Sequence, residues 1–183
     1  MVTHWKTVLL VCVLGVLVYA GDVAMAASAA EIDRDVNAAL KVLYDSEPGT
    51  EALAGKAKGI LVFPSIVKGG FLVGAQYGEG ALRKGGKTSA YYNSVAASYG
   101  WQAGIQSFGY ALFFMTDSAL KYLESSGGWE IGSGPSIVVV DQGAATGLTT
   151  TTAKDDIYAF FFSQKGLMAG LGLQGSKITR INP

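Results

Sequence analysis

Two side chains that carry much of enzyme and metal chemistry are almost missing. The 183-residue chain has one Cys and one His, Cys12 and His4, both close to the N-terminus. Charge is scarce and balanced, with 14 Lys+Arg against 14 Asp+Glu. That balance argues against a nucleic-acid partner, whose phosphates call for a surplus of Lys and Arg. Half of the residues are apolar, and with so few charges this argues against disorder. The length suits one domain, or a domain with an appendage.

Only one long hydrophobic run is present. Thr7 to Gly21 is uncharged and mostly aliphatic, preceded by Lys6 and followed by Ala24-Met25-Ala26. A positive start, an apolar stretch and an A-x-A end predict a secretory signal peptide over residues 1–26, cleaved after Ala26. The stretch is shorter than the roughly 20 residues that a helix needs to cross a bilayer. The competing expectation is an uncleaved anchor, accommodated by tilt or membrane thinning. A lipoprotein reading is weaker, because Cys12 lies inside the apolar run after Val11. Without residues 1–26 the chain has neither Cys nor His. Disulfides, zinc fingers, haem attachment, Cys nucleophiles and a Ser-His-Asp triad are then excluded. No metal and no cofactor is expected, and an exported chain without cysteines must rely on an apolar core.

From Ala27 to Leu43, Ile32, Val36, Leu40 and Leu43 recur at helical spacing, with Asp33, Arg34, Asp35, Asn37 and Lys41 off the stripe. Ser46-Glu47-Pro48-Gly49 predicts a break, and Thr50 is a candidate cap for a short second helix. From Gly59 the pattern changes to short apolar or alternating runs punctuated by glycine. Gly59–Phe63 is read as a strand stopped by Pro64, and Phe71–Tyr77 as the next. Gly85-Gly86 predicts a tight hairpin turn. Strands are expected at Thr88–Ala97, Gly104–Met115, Pro135–Val140, Ile157–Ser163, Leu167–Leu173 and Lys177–Ile181. An internal helix around Ala119–Leu123 would be capped by Thr116 or Asp117 and ended by Gly127-Gly128. Residues 142–154 read as an exposed loop. The expectation is α+β and β-rich: a strongly bent, mainly antiparallel sheet or small barrel with N-terminal helices (27–58) and one internal helix. Residues 59–183 form the β-rich core, and 27–183 a single domain.

Several patterns imitate known sites. Gly170-Leu171-Gly172-Leu173-Gln174-Gly175 matches G-x-G-x-x-G, but the chain offers neither the following helix nor the acidic residue about 20 positions on. Gly80 to Thr88 resembles a phosphate-binding loop, but its first Gly lies one residue too far from Gly86 and a strand-like run follows. The same tip gathers Arg83, Lys84 and Lys87, with Lys56, Lys58 and Lys68 possible neighbours. It reads either as a solvated turn or as a contact for anionic headgroups, each basic residue contributing about 1 kcal/mol near a negative surface. Glu79, Glu130, Asp155 and Asp156 are read as structural acceptors rather than an acid/base pair. The aromatics, from Tyr91 to Phe162, are read mainly as core. Phe160-Phe161-Phe162 must place a ring on each sheet face, so that both faces are covered or one ring is exposed.

Some segments are familiar together. Ala57 to Pro64, Gly70-Phe71 through Gly80, Tyr91-Tyr92 with Gly104-Ile105-Gln106-Ser107, and Phe114-Met115-Thr116-Asp117 resemble the SYLF-domain family. So do Gly128 to Gly132, Lys165-Gly166-Leu167 and Leu173 to Ile178, and the likeness runs in order over residues 36–181. The resemblance implies lipid binding, with eukaryotic members that bind phosphoinositides and actin, and it carries no catalytic residues. Eukaryotic relatives have a basic N-terminal segment, whereas here Glu31, Asp33 and Asp35 stand beside Arg34 and Lys41. Ser133 also stands where the motif leads us to expect an apolar residue. The resulting expectation is an exported, non-enzymatic phospholipid-binding module, periplasmic or envelope-associated, for which actin is an unlikely partner. Arg83, Lys84, Lys87, Lys68 and Lys58 are its headgroup candidates. The alternative is a structural or protein-interaction component of the envelope with a protein partner instead of a lipid.

Overall fold

A computed structural model describes residues 26–70, 73–99, 104–125, 127–140, 154–165, 173 and 175–183. Residues 1–25, all of the expected 142–154 loop except Lys154, most of the Leu167–Leu173 strand and most of the G-x-G-x-x-G run lie outside them. Helix α1 (Ala29–Ser46) starts at Ser28, whose side chain and that of Glu31 form a capping box. It buries Ile32, Val36, Ala39 and Leu43, the face foreseen from the spacing except that Ala39 replaces Leu40 in the fully buried set. Gly49, at φ 101°, turns the chain into the short α2 (Thr50–Ala54). Thr50 is therefore not the cap. It is the first helical residue, buried, and its hydroxyl donates back to the Glu47 carbonyl at 2.7 Å.

Among the described residues eight strands follow: β1 (Gly59–Gly70), β2 (Val73–Lys84), β3 (Lys87–Tyr99), β4 (Gly104–Phe114), β5 (Trp129–Glu130), β6 (Ile137–Val140), β7 (Ile157–Lys165) and β8 (Lys177–Ile181). Helix α3 (Asp117–Ser125) lies between β4 and β5. It is capped by Thr116, whose hydroxyl oxygen accepts from the Ala119 amide at 3.2 Å. The strands make one curled sheet ordered β5-β8-β3-β2-β1-β4-β7-β6, an open half-barrel rather than a closed barrel. Its pairings are antiparallel except β6 with β7, which is parallel.

Two local predictions need correction. Pro64 does not end β1, because the register slips between Phe63 and Ile66. The missing N–H of Pro64 falls in that bulge, where the ladder demands no donor. The two-residue β5 was not foreseen, since Trp129-Glu130 is too short to show alternation. The hairpin stands as read: Lys84 pairs with Lys87 across Gly85 and Gly86, at φ 54° and 77°.

The sheet is covered on both faces. On one, α1 and α2 pack Ile32, Val36, Leu43 and Leu53 against Val62, Ala81, Phe113, Phe160 and Phe162. On the other, Ala119, Leu120 and Leu123 of α3, with Trp129 and Ile131, pack against Leu61, Phe63, Tyr110, Leu112, Phe114 and Ile178. The triple Phe divides as alternation requires, Phe160 and Phe162 to the α1 face and Phe161 to the other. Close approach of β4 to β7 depends on Gly109, where a Cβ would stand 2.3 Å from the Phe162 ring.

Candidate functional site

The headgroup candidates do not form one cluster. Arg83, at the end of β2, turns to the α1 face, where its Nη2 donates to the Asp33 carbonyl at 3.3 Å and to Asn37 Oδ1 at 2.5 Å. Lys84, the next residue along the strand, turns to the other face and pairs with Glu124 of α3 at 2.5 Å. Lys58 pairs with Asp117 at 3.3 Å. Lys87 is exposed at the hairpin. Lys68 lies eight residues along β1 from Ile60, the register partner of Arg83, or about 26 Å away at strand rise. It stands between Gln76 and Gln106 on neighbouring strands. Three of the five cations are thus engaged with helix side chains, and they fasten helices to the sheet.

The carboxylates are likewise tied to separate partners. Asp156 accepts from Thr116 Oγ1 at 2.9 Å and from the amide and hydroxyl of Ser136 at 3.2 and 3.3 Å. These bonds, that of Thr116 first, hold its carboxyl below the usual range. Asp155 accepts weakly from the Tyr158 hydroxyl. Glu130 ends β5, and Ser133 closes the turn after it by donating to the Glu130 carbonyl at 2.7 Å. Among the described residues no group of three or more His, Cys, Asp or Glu is placed to hold a metal ion.

A different feature emerges at the end of the sheet remote from the hairpin. Helix α1 has 18 residues and is about 27 Å long, whereas β1 has 12 and runs about 40 Å. Helix α1 lies toward the hairpin end, so among the described residues nothing covers the far end of this face, here called the bare end. Register places Lys177, Val95, Tyr77, Val67, Ser107 and Lys165 in one row across β8, β3, β2, β1, β4 and β7. The next row outward is Ala97, Ala75, Gly69 and Ile105. Ile105 is 75% exposed, Val67 52%, Tyr77 49% and Val95 43%. Isolated exposed apolar residues are ordinary, but two adjoining rows of them are not. Lys165 and Lys177 bracket the first row and are exposed, and Glu130 adjoins Lys177 in register.

Where α1 meets this bare end, a cavity of about 270 Å³ is lined by Ala27, Ile32, Asp35, Pro64, Val67, Tyr77 and Glu79, among others. Glu79 accepts from the Tyr77 hydroxyl at 2.5 Å and from the Ala27 amide at 3.0 Å. Partial desolvation, then the Glu79 carboxylate that takes its hydrogen bond, pushes the Tyr77 phenol up to about 12. The rows themselves were not singled out from sequence. Alternation in Val67-Lys68-Gly69, Ala75-Gln76-Tyr77 and Val95-Ala96-Ala97 was visible, but their exposure depends on how far α1 reaches.

Half-barrel and bare end together define a β-rich α+β domain with a surface open to a lipid or protein partner. Residues 95–182 match the family model described as Ysc84, Las17-binding protein actin regulator, which is consistent with the SYLF resemblance. Val95, Ile105, Ser107, Lys165 and Lys177 fall within that match. No curated protein matches the chain.

Proposed function

We propose that this protein is an exported, non-enzymatic module of the bacterial envelope that binds a phospholipid bilayer through the bare end of its α1 face. The observation that carries the reading is the pair of exposed apolar rows bracketed by Lys165 and Lys177. On contact, Ile105, Val67, Tyr77 and Val95 leave water for the acyl boundary, while the lysines stay at headgroup level with their stems along the surface. Fully burying an Ile or Val side chain is worth about 1.5–3 kcal/mol, and a lysine near an anionic surface about 1 kcal/mol. This small patch therefore supports reversible attachment. The export signal expected over residues 1–26 belongs to the same reading, since it would place the domain beside membrane and away from cytosolic actin.

Co-sedimentation with vesicles of phosphatidylcholine, alone and mixed with an anionic phospholipid, tests it. The Val67→Ser/Ile105→Ser variant is expected to lose binding to both vesicles by tenfold or more. Lys165→Ala/Lys177→Ala should lose it only on the anionic vesicles, and more at low salt. The Arg83→Ala/Lys84→Ala/Lys87→Ala variant separates the hairpin tip from the bare end. Unchanged binding by Val67→Ser/Ile105→Ser would remove the apolar rows from the site. Absence of binding to every vesicle, with retention of an envelope protein from lipid-free extract, would turn the reading to a protein partner.

A further inference from the structure

Helix α1 needs nothing upstream of Ser28 in order to start, because Ser28 and Glu31 complete the capping box between themselves. Ala26 and Ala27 precede it outside any helix or strand, and Ala26 is exposed. The amide of Ala27 nevertheless has a long-range partner, Glu79 Oε2 at 3.0 Å, 52 positions along the chain. The nitrogen of the bond expected to be cut after Ala24-Met25-Ala26 is thus already seated on a carboxylate.

We infer that removal of residues 1–26 installs a charge pair between the new α-ammonium of Ala27 and Glu79. Hydrolysis of the Ala26–Ala27 bond consumes one water, its OH going to the Ala26 carbonyl carbon and its H to the Ala27 nitrogen; the new acid releases a proton and the new amine takes one up, leaving a carboxylate and an ammonium. A neutral N–H donor is thereby replaced, on the same atom, by a charged one, which makes the stronger bond to a carboxylate. The inference rests on the export reading for the position of cleavage.

The surroundings favour this cation. On α1, Glu31 and Asp35 are negative, Arg34 being paired with Asp35 at 2.9 Å. On β2, Tyr77 is a neutral donor to Glu79, and Pro64, Ser65 and Val67 of β1 carry no charge. The positive end of α1 opposes an ammonium there, and the carboxylates offset it. The bare face changes as well. Before cleavage, Lys165 and Lys177 are balanced by Glu79 and Glu130. The new terminus cancels Glu79 and, among the described residues, leaves the face one charge positive, so processing itself prepares the surface for anionic headgroups.

An ammonium stabilised in the fold contributes fully below its ordinary value near 8, and the contribution disappears as pH rises through the raised one. The experiment uses the full chain expressed in an exporting bacterial host and recovered from the envelope fraction. Intact mass reads the first residue, and the α-amine is titrated by NMR after ¹³C reductive methylation, in wild type and in Glu79→Gln. The expected result is a chain beginning at Ala27 whose amine holds its proton about tenfold more tightly than in Glu79→Gln. A chain beginning at Ala27 whose amine titrates in the ordinary range of about 7.7–8.0 overturns the inference and leaves the export reading standing. Wild type alone decides this if Glu79→Gln does not fold. A chain that begins elsewhere refutes the cleavage position, and the charge pair with it.

Discussion

Gly109→Ala tests whether curvature and the binding surface are one property. A Cβ at Gly109 would lie 2.3 Å from Cε2 and 2.7 Å from Cζ of Phe162, and Phe162 is itself buried against α1. The ring can yield only by moving into filled space, and overpacking of this kind costs about 1–3 kcal/mol. Loss of glycine's freedom in the unfolded chain returns about 0.4–1 kcal/mol. The net is a destabilisation of about 1–2 kcal/mol, or a fall in Tm of about 2–8 °C for a domain of this size. Thermal unfolding by circular dichroism measures it. Phe162→Leu supplies the other corner of a double-mutant cycle: the double variant should be less destabilised than the sum of the singles by at least about 0.5 kcal/mol. Gly80→Ala is the contrast, since its Cβ would meet the backbone carbonyl of Val62 at 2.1 Å, which no side-chain trimming relieves. Additive effects at Gly109 and Phe162 would refute the packing argument. The same variant should weaken vesicle binding, because Ser163, at φ 53°, and the register slip between Ser107 and Gly109 bring Lys165 into the row.

Leu43→Ala removes a fully buried anchor of α1 and is expected to cost about 2–5 kcal/mol, read as a lowered denaturation midpoint. Arg83→Ala removes a side chain only 11% exposed, with its bonds to Asn37 and the Asp33 carbonyl, and should cost about 1–2 kcal/mol. Lys84→Ala breaks a pair whose side chains are 35% and 36% exposed and should cost less than about 1 kcal/mol; equal costs for the two would contradict their placement. Asp156 has a depressed carboxyl value in the fold, so its contribution is present above the unfolded value near 3.9 and is lost as pH falls through the folded one. Asp156→Asn should therefore be less stable than wild type at pH 7, with the difference narrowing toward pH 3 in parallel denaturation curves.

Local periodicity made much of the architecture readable. Ile32, Val36 and Leu43 marked a helical face, Gly85-Gly86 marked a hairpin, and three consecutive Phe required a ring on each sheet face, leaving open whether both faces were covered or one ring exposed. Each depends on residues within a few positions of one another. The pairing partners were hidden because they are distant in sequence: Arg83 meets Asp33 and Asn37 across 50 and 46 positions. A cluster of basic residues at a turn looked like one patch, yet Arg83 and Lys84 must point to opposite faces once the turn sits on a strand. The bare rows were hidden for a different reason. They arise where a helix ends before the strands beneath it, a comparison of two lengths that no single segment records.

Asp33 accepts from the hydroxyls of Thr88 at 2.6 Å and Tyr91 at 3.1 Å, and the Arg83 guanidinium stands 3.9 Å away. An apolar stripe alone would let α1 slide or roll on the sheet, since methyl groups accept many neighbours. One carboxylate gripped by two hydroxyls of β3 and flanked by the guanidinium of β2 fixes both the rotation and the axial position of the helix. Ala29, the first residue of α1, lies about 6 Å along the axis from Asp33, with Ala27 two residues before it, so the distance of Ala27 to Glu79 is inherited from that grip. A helix misplaced by a single residue step would carry the amide of Ala27 beyond hydrogen-bonding reach. Asp33 acts as the datum from which the residues leading into α1 are measured, although it touches neither the bare face nor Glu79.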